Sequence, residues 1–567
     1  MKVDRILPFS ICAVIIVSFY AVILKNSVDI PNGDDIYCLL LFTQQFQDAL
    51  SWGERFHLLV QQWVEHRILY SRLTALISYV IHGGQVNFIT IILIGNLTLV
   101  AFTALFWKFL NGIKASGYYL IPIVLTLFSP VMYEANLWAG ACTVYMPVCF
   151  MGLLSVYLIS KKTALSFTGA IVIALLATYS FGNGMFSFVA GIVVLVMQKR
   201  FKELVIWVPV MVAAIFLYFQ NFYVASATNA FSFSAHFQHP TYLFYNLFAF
   251  IGGSLDYTES SNAPIQMNNV LGICFGVVIT IAVLTGLYPI LLKRILHSRE
   301  KTERSEVIWV GMVAFIAITA LSMAYSRTSG ESINTLSSRY KIFSMVSFIL
   351  VYIWLLKFFP SRKVIVGCLF GMISLLMLGV SYYTTYDKLS NFKSTLLAGL
   401  YNYNNNHHWV IYRHTSYYEV ASQAVSDTIK SKNNPVFEFQ KVFPGLTLTA
   451  LNAARGFSDV RVSEERNCNG NTGNCITIAS DGYPTISNFF RGIYLVVYND
   501  KNIYLFPTNP KKNGRVNMLT KGNYFKPGFD LIDNFGKSLE PGVEYKLAIY
   551  CPTENEQIRL INYKIKG

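Results

Sequence analysis

Acidic, basic and amide residues recur where apolar stretches of this chain begin or end. PNGDDIY holds Asp34 and Asp35, and WVEHRILYSRL holds Glu65, His66, Arg67 and Arg72. YEANLW contributes Glu134, Asn136 and Trp138, and TYSFGNGMF sets Asn183 between two glycines. SRTSGESINTLSSRYK supplies Arg327, Glu331, Arg339 and Tyr340. Ionisable groups beside apolar spans cost energy and mark functional sites by default. A carboxylate can deprotonate a hydroxyl nucleophile, and a guanidinium grips phosphate through forked, charge-assisted donors. Each group also has a plainer reading. Asp34 and Asp35 could cap a helix starting near Ile36, and Glu65, His66 and Arg67 could form a structural ion pair. Glu134 could mark a water boundary, Gly182-Asn183-Gly184 a tight turn, and the two arginines could snorkel.

The elements that position these residues follow from composition. The 567 residues are 54% hydrophobic and 13% charged, with mean hydropathy +0.45. Soluble domains carry about 25% charged residues. A membrane helix needs roughly 20 apolar residues. Such runs stand near 6–24, 86–107, 116–132, 137–159, 164–180, 184–198, 204–220, 268–292, 307–325, 340–358 and 364–383. The first lacks a small-x-small cleavage site and reads as a retained anchor. The expected fold is a polytopic α-helical membrane protein of about eleven spans, 1–385, with a mostly β extracytoplasmic domain over 386–567.

Charge orients the spans. Basic residues gather in alternate gaps: Lys108 and Lys114; Lys161 and Lys162; Lys199, Arg200 and Lys202; Lys293, Arg294, Arg299, Lys301 and Arg304; Lys357, Arg362 and Lys363. The positive-inside rule makes these loops and the N-terminus cytoplasmic, and the tail external. The net charge of +15 is therefore largely a topology signal, and nucleic acid is not an expected partner. Residues 241–257 are apolar enough to span, but counting them reverses the alternation, so they read as a re-entrant or interfacial helix. The first outer loop, 25–85, carries amphipathic stretches near 36–50 and 54–70. In the tail, 416–430 reads as a helix, and 491–500, 501–507 and 543–550 as strands. Cys468 and Cys475 could form a disulfide in an oxidising compartment.

All five polar motifs fall on the outer face under this orientation, although only the cytoplasmic loops fixed it. Acid–base groups and arginines at the outer membrane surface suit glycosyl transfer from a polyprenyl-phosphate-linked sugar. The order of motifs (an acidic pair after span one, EHRI…RL, E-x-N-x-W, G-N-G and R…G…SRY) resembles the GT-C glycosyltransferases over most of 1–385. Bacterial glucosyltransferases that modify O-antigen share this layout. The resemblance implies an inverting hexosyltransferase of the bacterial inner membrane in lipopolysaccharide biosynthesis, acting on a lipid-linked or surface glycan. It also implies a companion flippase and a cytoplasmic-side polyprenyl-phosphate glycosyltransferase. Asp34 or Asp35 matches the catalytic base; Arg327, Arg339 and Tyr340 match donor-phosphate positions. Glu65, His66, Arg67, Glu134, Trp138 and Asn183 are further site candidates. No metal or other cofactor is expected, although the acidic pair could hold a divalent cation. A polysaccharide polymerase or ligase, and a lipid-linked glycan transporter, are the alternatives.

Overall fold

A computed structural model describes residues 3–223, 239–257, 267–296, 302–328, 331–409, 416–468, 471–483, 492–533, 539–552 and 557–566. It divides into two compact units that interleave along the chain. The first comprises Met1–Lys25, Gln45–Ile77 and Thr90–Tyr382; the second comprises Asn26–Gln44, Ser78–Ile89 and Tyr383–Gly567.

The first unit is helical, and the chain has a C-terminal β-rich region. Among the described residues nine helices are long and apolar enough to cross a membrane. Two shorter apolar helices, Ala164–Ser180 and Gly182–Met197, coincide with two further runs of the hydropathy pattern. Several helices present large apolar side chains outward: Leu271, Val278, Ile281, Leu284 and Tyr288 on one, Val205, Val212 and Phe216 on another. Apolar helix faces of this kind suit lipid rather than water.

The unit has two distinct ends. At one, the basic loops interlock. An Arg200 guanidinium nitrogen donates to Ile159 O at 2.5 Å, and Arg304 Nε donates to Ser160 Oγ at 3.2 Å. Lys357 pairs with Glu303 at 2.9 Å and Glu306 at 3.2 Å, and Lys363 donates to Ile113 O at 3.2 Å. Arg299 and Lys301 lie outside the described residues. Helices Ala139–Ile159, Arg304–Arg327 and Lys341–Phe358 each have one terminus at this end. Their other termini carry Trp138, Arg327 and Tyr340. At about 1.5 Å per residue, the 24-residue Arg304–Arg327 helix separates the ends by roughly 36 Å.

The ambiguous segment at 241–257 forms a 13-residue helix, Pro240–Gly252. Its length of about 20 Å falls short of the ~30 Å apolar layer of a bilayer. It lies against the start of the Met267–Leu296 helix with backbones nearly touching. A Cβ on Gly276 would stand 1.9 Å from Phe248 O, and one on Gly252 2.0 Å from Gly272 O. Backbone cannot yield as a side-chain tip can. Gly276→Leu is expected to separate this pair and lower the melting temperature in detergent by several degrees, consistent with overpacking costs of about 1–3 kcal/mol. An unchanged melting temperature would contradict the close approach.

The second unit holds the polar half of a 44-residue helix, Lys363–Asn406. The hydropathy pattern ends near 383, but the helix continues because Leu389, Leu396, Leu400 and Tyr403 keep a helical repeat and are buried. Leu396, Leu400 and Tyr403 pack with Ile30, Ile36 and Trp409. Two short strands in the first unit, β1 (Gln62–Trp63) and β2 (His66–Arg67), form a hairpin. The strands of the second unit are β3 (Arg455–Phe457), β4 (Arg461–Cys468), β5 (Asn471–Ser480), β6 (Tyr494–Tyr498), β7 (Ile503–Pro507), β8 (Asn509–Lys512), β9 (Phe525–Asp533), β10 (Glu544–Cys551) and β11 (Gln557–Lys566). They build a five-stranded sheet, β3-β11-β10-β6-β7, and a four-stranded sheet, β4-β5-β9-β8.

The period-2 alternation of β6 explains the layering. Leu495 and Val497 face the four-stranded sheet through Ile478, Phe529 and Leu531. Tyr494, Val496 and Tyr498 face the long helix through Ala398 and Tyr401. The strand is therefore buried throughout. Cys475 is disulfide-bonded; the side chain of Cys468 lies outside the described residues.

Candidate functional site

Within the first unit, segments distant in sequence meet at the end opposite the basic loops. Glu134 lies on the short helix Tyr133–Leu137. Its Oε2 accepts hydrogen bonds from Ser337 Oγ and Ser338 Oγ, both at 2.9 Å, and from the Arg339 amide at 3.4 Å. The Glu134 amide donates back to Ser338 Oγ at 3.3 Å. One carboxylate thus holds the 3-10 turn Ser338–Tyr340 and is engaged as a positioning group. Asn246 fixes the preceding loop: it accepts from Asn334 N at 2.9 Å and donates to Ser332 O at 3.0 Å.

The turn presents Arg339 to two rings. Its guanidinium carbon lies 5.6 Å from the centre of Trp138 and 5.4 Å from that of Tyr340. Arg327 approaches the same Tyr340 ring at 5.9 Å. Cation–π contacts at about 6 Å stabilise each arginine by roughly 0.5–2 kcal/mol. The Arg339 side chain also hydrogen-bonds with that of Tyr340. Arg339 Nε is buried and has no hydrogen-bond partner among the described residues. A buried donor of a charged group is rarely left unsatisfied.

An aromatic chain extends from this pair. Tyr145 meets Tyr340 edge-on at 5.2 Å and Phe181 at 5.3 Å, and Phe181 lies 4.0 Å from His66. His66 is half-buried on β2. Burial first, and the charge of Arg327 second, push its pKa down to about 4, so the ring is neutral near pH 7. His66 Nδ1 and Asn183 Oδ1 are likewise buried without a hydrogen-bond partner among the described residues. Gly182 admits the imidazole, since a Cβ there would come within 3.3 Å of Nδ1. Gly184 has a structural reason: a Cβ would sit 1.9 Å from Ala177 O. The hairpin turn before His66 places Val64 at φ +48°, an uncommon conformation for a β-branched residue, and carries Glu65, half-buried, beside the histidine.

The depressed pKa has a thermodynamic sign. The unfolded chain takes up a proton on His66 below about 6.5, whereas the folded chain resists until about 4. Folding stability is therefore lost as pH falls across that window. The melting temperature of His66→Gln is expected to fall less than that of the parent between pH 6.5 and 4. Parallel pH profiles would contradict the assigned burial.

Arg67 and Arg72 have different tasks. Arg67 Nε donates to Tyr218 O at 2.9 Å, and its terminal nitrogens reach Gln220 O at 3.1 Å, Leu217 O at 3.4 Å and Val60 O. It caps the C-terminal carbonyls of helix Phe201–Phe219, where a cation also suits the helix dipole. Arg72 does the same for helix Trp52–Val60 through Leu59 O at 3.2 Å and Gln61 O at 2.5 Å.

Asp34 and Asp35 belong to the second unit. A turn with Gly33 at φ +55° leads into a π-helical turn, Ile36–Leu41, a geometry frequent at functional sites. The Asp34 carbonyl accepts from Tyr37 N at 3.0 Å and Cys38 N at 2.8 Å. Asp35 occupies the cap position, yet its side chain makes no capping bond. Its buried carboxylate turns back to accept from Asn32 N at 3.0 Å. Asp34 is half-buried.

Sequence reasoning missed one buried polar group near the turn. Lys341 Nζ donates to Asp256 O at 2.5 Å, and Asn269 donates to Asp256 Oδ2 at 3.1 Å. All three residues are buried. A lysine directly after Tyr340, opening an apolar helix, was the available signal. Among the described residues no three His, Cys, Asp or Glu side chains gather as a metal site would need. No family profile, curated protein or solved structure matches this chain.

Proposed function

We propose that this protein is a membrane glycosyltransferase of the bacterial inner membrane, with about eleven spans. It moves a hexose, as O-antigen glucosyltransferases of similar layout move glucose, from a polyprenyl phosphate to a surface glycan such as O-antigen. The observation that carries this reading is the Arg327–Arg339 pair at Tyr340, with a buried donor of Arg339 left unsatisfied. The two-ended first unit supports it further: basic loops at one end, site residues at the other, matching a cytoplasmic and a periplasmic face.

In this reaction the acceptor hydroxyl oxygen bonds to the anomeric carbon, and the bond from that carbon to the phosphate oxygen breaks. The electron pair leaves with the lipid phosphate, whose charge the arginines stabilise. The hydroxyl proton passes to a carboxylate, for which Asp34 and Asp35 remain the candidates. Neutral His66 and Asn183 supply hydrogen-bonding atoms to sugar hydroxyls. The second unit, periplasmic in this reading, binds the acceptor glycan.

One observation favours a second reading. His66 and the arginines gather in the first unit, whereas the acidic pair belongs to the second. A polymerase or ligase acting on a lipid diphosphate needs arginines and a histidine and could dispense with Asp34 and Asp35. Glycan analysis of cells with and without the gene separates the two. Loss of a side-branch sugar at unchanged chain length supports the transferase; shortened or unattached chains support the alternative. An unchanged glycan contradicts both.

A further inference from the structure

The end of the first unit that gathers the basic loops contains two adjoining cavities, of about 290 and 310 Å³. They share Phe109 and Ser305 as walls. Their sizes lie near the lower bound, about 300 Å³, of pockets that hold small molecules. The first is mainly apolar: Pro289, Ile290, Trp309, Trp354 and Phe358 line it. Trp309 and Trp354 are tilted by 30° to one another, with ring centres 6.1 Å apart. Gly286 lets the neighbouring helix approach these indoles, because a Cβ there would come within 2.8 Å of both. The second cavity is bordered by Lys108, Tyr157, Glu303 and Arg304. Arg304 and Lys161 both stand over the Tyr157 ring, at 5.2 and 5.1 Å. Lys357 takes up Glu303 and Glu306 as ion-pair partners, and both Lys108 and Arg304 are exposed.

An apolar chamber that opens beside a cationic one fits an amphipathic anion. We propose that these joined cavities form a binding site for an anionic phospholipid, with an acyl chain against Trp309 and Trp354 and the headgroup phosphate at Lys108 and Arg304. Basic pockets between membrane helices on the cytoplasmic side take anionic headgroups in this way. The two indoles bury apolar chain area, and Arg304 offers its fork to phosphate oxygens. This site is separated from the Arg339 cluster by the length of the Arg304–Arg327 helix, so it does not depend on the proposed reaction.

The test uses the purified full chain in detergent, titrated with phosphatidylglycerol or phosphatidylcholine carrying brominated chains, which quench nearby tryptophan. Phosphatidylglycerol is expected to quench saturably and at least tenfold more tightly than phosphatidylcholine. Trp309→Phe/Trp354→Phe should lose most of that quenching. Lys108→Gln/Arg304→Gln should weaken phosphatidylglycerol about tenfold while leaving phosphatidylcholine unchanged. Inorganic phosphate at millimolar concentration should not displace the lipid. Equal quenching by both lipids, or an unaffected Lys108→Gln/Arg304→Gln variant with the parent's melting temperature, would overturn the proposal. Displacement by free phosphate would reassign the site to a soluble anion and overturn it equally.

Discussion

Arg339→Gln is expected to reduce sugar transfer by about 10²–10³-fold, the cost of removing one preorganised donor to a developing anion. The glutamine keeps much of the length and polarity but cannot offer a charged fork. The carboxylate of Glu134 would still hold Ser337 and Ser338, so the turn should persist and the melting temperature should change little. Arg339→Lys should recover only part of the activity. A lysine supplies charge but neither the planar fork nor the stack against Trp138 and Tyr340. Transfer assays with a polyprenyl-phosphate donor, alongside melting temperatures, check both points. Wild-type rates in Arg339→Gln would remove the arginine from the chemistry.

The second large effect is expected at the acidic pair. Loss of a general base lowers rates by about 10²–10⁴-fold, and asparagine replaces aspartate with little change in volume. Asp35 is the more demanding position, since its buried carboxylate accepts from Asn32 N in the turn before the π-helical segment. In Asp35→Asn, a side chain that kept its oxygen toward that backbone N–H would retain the turn while losing basicity. Asp34 is less buried, and its backbone carbonyl accepts from Tyr37 N and Cys38 N in the following turn. Whichever variant loses transfer while keeping the parent's melting temperature marks the base. Wild-type transfer by both Asp34→Asn and Asp35→Asn, in an enzyme that Arg339→Gln inactivates, would instead favour the lipid-diphosphate reading.

Much of the first unit was legible because a hydropathic run and a membrane-length helix are nearly the same physical object. The 241–257 segment was harder. Its composition is that of a span, and only the glycine contacts of Gly252 and Gly276 show a short helix pressed against a longer one. The helix through Asn406 was legible in principle, for Leu389, Leu396, Leu400 and Tyr403 preserve the helical repeat after hydropathy fades. The assignment of 26–44 and 78–89 to the second unit was not, because it depends on tertiary contacts rather than local pattern.

The site divides similarly. Polar residues at apolar boundaries pointed to His66, Glu134, Trp138, Arg327, Arg339 and Tyr340, and the structure gathers them. Tyr145 and Phe181 join them, but an aromatic inside an apolar run carries no distinguishing mark. Arg67 stood among the further site candidates in sequence, apart from the arginines matched to donor phosphate. Its guanidinium instead closes a helix end about 150 residues downstream, which no local spacing could reveal. Ser337 and Ser338 carried no signal of their own, yet they are the contacts through which Glu134 sets the position of Arg339.

The most direct test of the central claim is donor affinity in the purified full chain, measured for a polyprenyl-phosphate hexose and for the uncharged polyprenol. The account predicts that the parent binds the phosphorylated lipid far more tightly than the alcohol, and that Arg339→Gln, folded to the parent's melting temperature, loses most of that difference. Equal discrimination by Arg339→Gln and the parent would contradict it.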